Sequence, residues 1–260
     1  MNRIERTLSS LGGKKALITF VTAGDPSLEV TGELVLSMFS NGADIVEIGV
    51  PFSDPVAEGP VIQDASKRAL DGGVTLSGIF ETVKEIRKQT EAPLLLMLYA
   101  NSIYGFGTEK FFSLCHESGI DGVIVPDLPF EEREEILPFA KKHGIISISL
   151  VAPTSRERIK MIAKEAEGFL YCVSSTGVTG MRSSFSTDFE SFFSAIKEYA
   201  KIPCAVGFGI SNPEQAREMS KYCDGVIVGS AIVKTVGEQK ENSPKAVGEF
   251  VKSLRNALDA

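Results

Sequence analysis

Eight short runs rich in Val, Ile, Leu and Phe recur along the chain, each followed by a charged stretch with helical spacing. They are Ala16–Thr22, Asp44–Gly49, Leu94–Leu98, Gly122–Val125, Ile145–Leu150, Phe169–Val173, Cys204–Val206 and Gly225–Val228. Runs this apolar suit strands buried on both faces, as in a parallel sheet, rather than half-exposed antiparallel strands. The intervening stretches place Val83, Ile86 and Arg87, then Phe111, Phe112 and Cys115, then Ile159, Ile162 and Ala163 at helical intervals. Eight β–α units in 260 residues predict an α/β fold, a (β/α)8 TIM barrel spanning residues 1–260 as a single domain. A doubly wound open sheet would need a topological switch point, which the even spacing does not offer. Met1–Gly13 reads as an extra N-terminal amphipathic helix that plugs the barrel bottom through Ile4, Leu8 and Leu11.

The widest gaps follow the second and sixth runs, so this barrel is expected to carry extended loops after strands 2 and 6. The first loop holds PFSDPVAEGPVIQ and the second SSTGVTGMRSSFSTD. Both follow strand C-termini, the face on which barrel active sites are built. The second, flanked by glycines, is expected to close as a lid.

Composition removes several function classes. Acidic residues number 34 against 27 basic ones, a formal net charge of -7, and no Lys/Arg cluster stands out, which disfavours nucleic acid as a partner. The two histidines, His116 and His143, and four cysteines without a C-x-x-C pair argue against a Cys/His metal cage. No apolar stretch approaches the ~18 residues of a membrane span, and the start lacks a signal-peptide pattern. The chain is expected to be soluble and cytoplasmic, with reduced thiols.

Glu47 is the most telling residue. In DIVEIGVPF, strand alternation places it on the same face as Ile45, so a carboxylate is threaded into a run made for burial. An unpaired buried carboxylate costs several kcal/mol or more, on the order of its desolvation penalty. One reading is a structural ion pair. The other runs contain no internal Lys, Arg or His, however, and Lys15 sits at the opposite end of the first strand. The reading this favours is a catalytic acid/base with a raised pKa. Glu58, in AEGP of the same long connection and near Asp54, is either a solvated loop residue or a second acid that holds a substrate N–H or stabilises positive charge. GVTG (Gly177 to Gly180), GFGI (Gly207 to Ile210) and GSAIVK (Gly229 onwards) follow strands 6, 7 and 8. Barrels bind phosphate there through bare backbone N–H groups and a helix N-terminus. No lysine lies within a strand for Schiff-base chemistry. Acid/base chemistry by carboxylates on a phosphorylated substrate remains, without metal or bound cofactor.

In that light the chain resembles the tryptophan synthase alpha-subunit family. The resemblance rests on FVTAGDPS (Phe20 to Ser27), VEIGVPFSDPVAEGPVIQ (Val46 to Gln63), LYANSIYGFG (Leu98 to Gly107), VPDLPFEE (Val125 to Glu132), STGVTG (Ser175 to Gly180), GFGIS (Gly207 to Ser211) and DGVIVGSAIVK (Asp224 to Lys234). It covers essentially the whole chain, in order. It implies retro-aldol cleavage of indole-3-glycerol phosphate to indole and glyceraldehyde 3-phosphate. A beta subunit that carries pyridoxal phosphate would receive the indole within an alpha2beta2 heterotetramer, and this chain itself would hold no cofactor. By position, Glu47 matches the general acid/base and Glu58 the partner of the indole nitrogen, which the family supplies as an aspartate in A-D-G-P. Phe20, Met97, Tyr99 and Ile124 match walls of the indole pocket, and Tyr171 a tyrosine near the substrate. Phosphate contacts fall at Gly180, Phe208, Gly209, Gly229 and Ser230, the closing loop at Thr179 and Gly180, and the beta-subunit contact at Asp54 and Pro55. The glutamate at position 58 leaves a second reading, a catalytically weakened barrel that acts mainly as an allosteric partner of the beta subunit. A sugar-phosphate isomerase on a similar barrel is a third.

Overall fold

Residues 1–173, 189–207 and 209–260 are described by the computed structural model. Among them nine strands form one sheet: β1 (Ala16–Thr22), β2 (Ile45–Gly49), β3 (Leu94–Met97), β4 (Gly122–Ile124), β5 (Ile146–Ser147), β6 (Ser149–Val151), β7 (Leu170–Val173), β8 (Cys204–Gly207) and β9 (Gly225–Val228). Their order is β5-β4-β3-β2-β1-β9-β8-β7-β6, and each of these neighbouring pairs is parallel. The two ends of that order, β5 and β6, are separated only by Ile148, so one run of chain closes the sheet into a barrel. The fifth strand, expected unbroken over Ile145–Leu150, is therefore divided. Its first half pairs back to β4 and its second forward to β7, so neither half is bonded on both sides.

The helices are α1 (Arg3–Ser10), α2 (Leu28–Ser40), α3 (Pro60–Asp71), α4 (Leu76–Arg87), α5 (Ala100–Phe106), α6 (Thr108–Ser118), α7 (Leu137–His143), α8 (Arg156–Glu165), α9 (Phe189–Tyr199), α10 (Pro213–Ser220), α11 (Ser230–Gln239) and α12 (Ser243–Asp259). Their starts are written locally. The side chains of Ser27, Thr75, Ser155 and Asn212 each accept from the backbone N–H three residues on, at the head of α2, α4, α8 and α10. The long connection after β2 is not all loop, contrary to expectation. Pro60, preorganised for a first helical position, opens α3, so the irregular part ends at Gly59. No helix among the described residues is long and apolar enough to cross a membrane.

Every residue of β1 and β2 is buried, as two-sided coverage requires. One face of the strands, including Leu17, Val21, Val46, Ile48, Leu96 and Val226, packs outward with the helices. The other face, including Ile18, Ile45, Leu95, Ile124, Phe169 and Ile227, fills the barrel interior, and Ile4 of α1 joins that cluster. The plug is shorter than expected. Leu8 packs at its edge, whereas Leu11 caps the helix C-terminus and is absent from the interior cluster.

Asp121, just before β4, locks the plug in place. Its buried carboxylate accepts from Arg3 at 3.1 Å, Arg87 at 2.6 Å and the Leu94 N–H at 2.9 Å. The Asn2 side chain donates to the Asp121 carbonyl at 2.9 Å. Asp121→Ala leaves the buried Arg87 guanidinium without its carboxylate, while Arg3 keeps Glu91, and is expected to lower unfolding free energy by about 3–5 kcal/mol. Urea unfolding followed by circular dichroism checks this, and a loss below about 1 kcal/mol contradicts it.

Candidate active site

At the C-terminal ends of the strands a cavity of about 660 Å³ is lined by residues that include Phe20, Glu58, Met97, Tyr171, Gly207, Gly209, Gly229 and Ser230. These come from β1, the β2–α3 loop, β3, β7, β8 and its following loop, and the β9–α11 junction. The geometry thus gathers at one mouth residues that the sequence spreads over more than two hundred positions.

Glu47 lies on the inward face of β2, level with Phe20 of β1 and Leu95 of β3. It is fully buried, and neither carboxyl oxygen has a hydrogen-bond partner among the described residues. No cation reaches it in any of the ion pairs found there. Burial alone pushes its pKa up to about 8, so the side chain is a neutral acid at pH 7. Tyr171 is held well above its ordinary pKa by burial and by the Glu47 charge, and it stays a neutral phenol.

Phe20 covers this acid. A Cβ at Gly49, two residues beyond Glu47 on the same face, would fall 2.4 Å from the Phe20 ring. The ring therefore occupies the space a side chain at 49 would take, on the mouth side of the carboxyl. Glu47 is not part of the cavity wall. A second close approach occurs at Gly207, where a Cβ would lie 2.9 Å from the Tyr171 hydroxyl.

Glu58 does line the cavity. Burial pushes its pKa up, and a hydrogen bond from the Tyr99 hydroxyl opposes that shift. Tyr99 and Ile124 were expected as walls, and the structure places both behind the wall. Ile124 is buried in the barrel interior, and the Tyr99 ring stacks on Phe52 with centroids 4.9 Å apart. The Tyr99 hydroxyl accepts the N–H groups of Val56 and Ala57, each at 3.0 Å. Asp54 is exposed on the same loop, where it accepts from Ser53, and Pro55 is half-buried.

Across the mouth, Gly209, Gly229 and Ser230 line the wall, and Ser230 opens α11 behind Gly229, which contributes no side-chain cap. The first-turn N–H groups of such a helix have no intrahelical partner and suit an anion. Thr179, Gly180 and Phe208 fall outside the described residues, as does the whole segment 174–188. Leu150 and Ile227 complete the apolar wall, and strand alternation from Ile148 and Gly225 points to both. Thr22, inward on β1 and lining a small recess beside Glu58, carries a buried hydroxyl with no partner among the described residues. Asp127, which lies in the VPDLPFEE motif but was given no role from the sequence, accepts from the Ala100 N–H at 2.9 Å.

Residues 9–259 match the family model described as tryptophan synthase alpha chain. The tryptophan synthase alpha chain of Thermoanaerobacter sp. (strain X514) is 48% identical over 262 residues, which cover 99% of this chain and 100% of that relative. Tryptophan synthase subunit alpha from Legionella pneumophila str. Paris superposes with a TM-score of 0.89 at 39% identity, covering 100% of this chain and 99% of that one. A chain from the tryptophan synthase α2β2 complex of the hyperthermophile Pyrococcus furiosus superposes with a TM-score of 0.86 at 35% identity, over 94% and 99% respectively.

The buried acid has a consequence measurable without any ligand. Between the ordinary glutamate value of 4.5 and about 8, the folded chain keeps a proton on Glu47 that the unfolded chain has released. The native state then binds more protons, so unfolding free energy falls as pH rises through that window, by about 1.4 kcal/mol per unit at most for one group. Glu47→Gln removes this dependence. Its stability relative to the parent is expected to grow from pH 5 to pH 8 and level off above, and a difference constant across that range contradicts the assignment.

Proposed function

The chain belongs to the tryptophan synthase alpha chain family, lyases of tryptophan biosynthesis, and from that premise we propose that it cleaves indole-3-glycerol phosphate to indole and glyceraldehyde 3-phosphate. The observation that carries this reading is Glu47, a neutral acid buried without a counter-charge beside a cavity of substrate size.

In the proposed reaction Glu47 delivers its proton to indole C3. The ring becomes a cationic indolenine whose N–H faces the Glu58 carboxylate. The Glu47 carboxylate left by that transfer then takes the proton of the glycerol hydroxyl next to the ring, the C–C bond breaks, its electrons return to the indolenine, and an aldehyde and neutral indole result. Glu47 is suited to the first step because burial raises its pKa to near working pH. Glu58 is suited to the second role because a donor from Tyr99 favours its charged form. Two carboxyls in two environments thus take two roles. Contact with the substrate requires Glu47 or the Phe20 ring above it to turn, since the carboxyl is off the cavity wall.

The phosphate is proposed to sit against Gly209, Gly229 and Ser230, with Thr179, Gly180 and Phe208 completing the site. Backbone N–H groups and a helix end bind an anion without a lysine or arginine, which fits a chain of net charge -7. Phe20 and Met97 offer the indole apolar walls, with Tyr171 beside them. The beta subunit is the proposed partner in an α2β2 assembly of the kind named for the Pyrococcus furiosus relative. The exposed loop that carries Asp54 and Pro55 is the proposed contact. Pyridoxal phosphate belongs in this reading to the beta subunit. The whole of 1–260 acts as one domain. Glu58 faces the cavity, and although burial pushes its pKa up, the Tyr99 hydroxyl donates to it and opposes that push, which supports the active lyase over a weakened regulatory barrel.

Indole release from indole-3-glycerol phosphate, with and without a beta subunit, tests the proposal. The parent is expected to release indole in both conditions. Glu47→Gln is expected to lower the rate by about 10²–10⁴-fold, the usual worth of a general acid/base. Absence of indole from the parent under either condition would sink the lyase reading.

A further inference from the structure

The Tyr99 hydroxyl has both lone pairs and its proton assigned. Two backbone N–H groups, of Val56 and Ala57, point at the oxygen at 3.0 Å each. A phenolic oxygen accepts no more than two such bonds, so its proton is left to donate, and it donates to the Glu58 carboxylate. The direction of the bond to Glu58 is therefore not a matter of choice for the hydroxyl. A carboxyl oxygen in that position is held as an acceptor, which favours the ionised form.

Tyr99 is itself anchored. It lies two residues beyond β3 and immediately precedes α5, its ring stacks on Phe52, and the next N–H, of Ala100, donates to Asp127 at 2.9 Å. Two segments distant in sequence thus meet at one oxygen: Tyr99, just after β3, and residues 56–58, through the backbone of 56–57 and the side chain of Glu58. Besides Tyr99, the backbone N–H groups of Glu58 and Ala57 favour the charged Glu58, whereas the Asp127 carboxylate disfavours a second negative charge nearby.

We propose that Tyr99 is a positioning residue, whose hydroxyl ties the loop after β2 to the Glu58 carboxylate and so sets that group's reach into the cavity and its charge. This goes beyond the pocket-wall role read from the sequence, and it rests on the lyase reading above. A glutamate offers one more rotatable bond than an aspartate, and a fixed donor removes that freedom. The loop backbone is also fixed from the inside, at the two N–H groups that neighbour the exposed Val56. Loop and carboxylate are expected to move as one unit, since displacing the backbone of 56–57 drags the hydroxyl's acceptor with it.

The test compares the parent with two variants, Tyr99→Phe and a Tyr99→3-fluorotyrosine substitution, by indole release across pH. Tyr99→Phe keeps the ring and its stack on Phe52. It is expected to lower kcat by about 10- to 100-fold, the scale of a small misplacement of a reacting group, with KM within about threefold. The acid limb of the profile is expected to move to higher pH, because Glu58 loses the donor that favours its charge. Fluorotyrosine is nearly isosteric and a stronger donor, so it is expected to move that limb to lower pH. A merely structural role would not produce opposite shifts. If Tyr99→Phe fails to fold, as judged by circular dichroism, the fluorotyrosine arm decides alone. Indole release by the parent with an unmoved acid limb in every folded variant would overturn the inference and leave the lyase reading standing. No indole from the parent would overturn both.

Discussion

A carboxyl group sits inside this barrel with nothing to balance it, and much of the surrounding architecture follows from that. Glu47 lies level with Phe20 and Leu95, on the inward face that also carries Ile18, Ile45 and Ile227, and none of these solvates a charge. An ionised carboxylate there would carry an uncompensated desolvation cost of several kcal/mol. The folded chain avoids it by keeping the proton, and a group that keeps its proton until about pH 8 is a ready acid. The same apolar environment that makes the barrel stable therefore makes its acid.

The two ends of the barrel divide the labour. At the N-terminal end, Asp121 is also buried, yet it is occupied by Arg3, Arg87 and a backbone N–H, and it ties the α1 plug down. At the C-terminal end, Glu47 has no partner among the described residues and Glu58 has only neutral donors, the Tyr99 hydroxyl and backbone N–H groups. Satisfied charge belongs to the structural end, and unsatisfied or half-satisfied charge to the end that meets ligand. The glycines follow the same division. Gly49 lets the Phe20 ring lie across β2 above the acid, and Gly207 leaves room for Tyr171, so two absent side chains shape the pocket as much as the ones present.

The strands were largely legible. β1 and β9 coincide with the apolar runs Ala16–Thr22 and Gly225–Val228, because a run buried on both faces leaves a continuous signal. The fifth strand was misjudged, since its division depends on which neighbour each half finds, and ISISLV gives no hint of that. In the loop after β2 the turn-forming composition concealed α3, whose proline opens a helix as readily as it ends one. Within the candidate site, alternation placed Glu47 inward correctly. A resemblance assigns Tyr99 to a neighbourhood and not to a bond, and only the structure shows its hydroxyl on Val56, Ala57 and Glu58, which themselves line the cavity.

From sequence alone came the parallel barrel, the inward carboxylate at position 47, the absence of any cation within the strands to meet it, and glycines at the strand ends suited to an anion. Each of these is local, a matter of period, residue type and order, which the chain writes in neighbouring positions. The tertiary structure alone decided that Glu47 has no hydrogen-bond partner among the described residues, that Phe20 lies over it, and that Tyr99 holds Glu58. Residues 20, 47, 58 and 99 come together only when β1, β2 and β3 lie side by side in their observed register. Hydrogen bonds and desolvation act over a few ångströms of space, and no spacing along the chain encodes those distances.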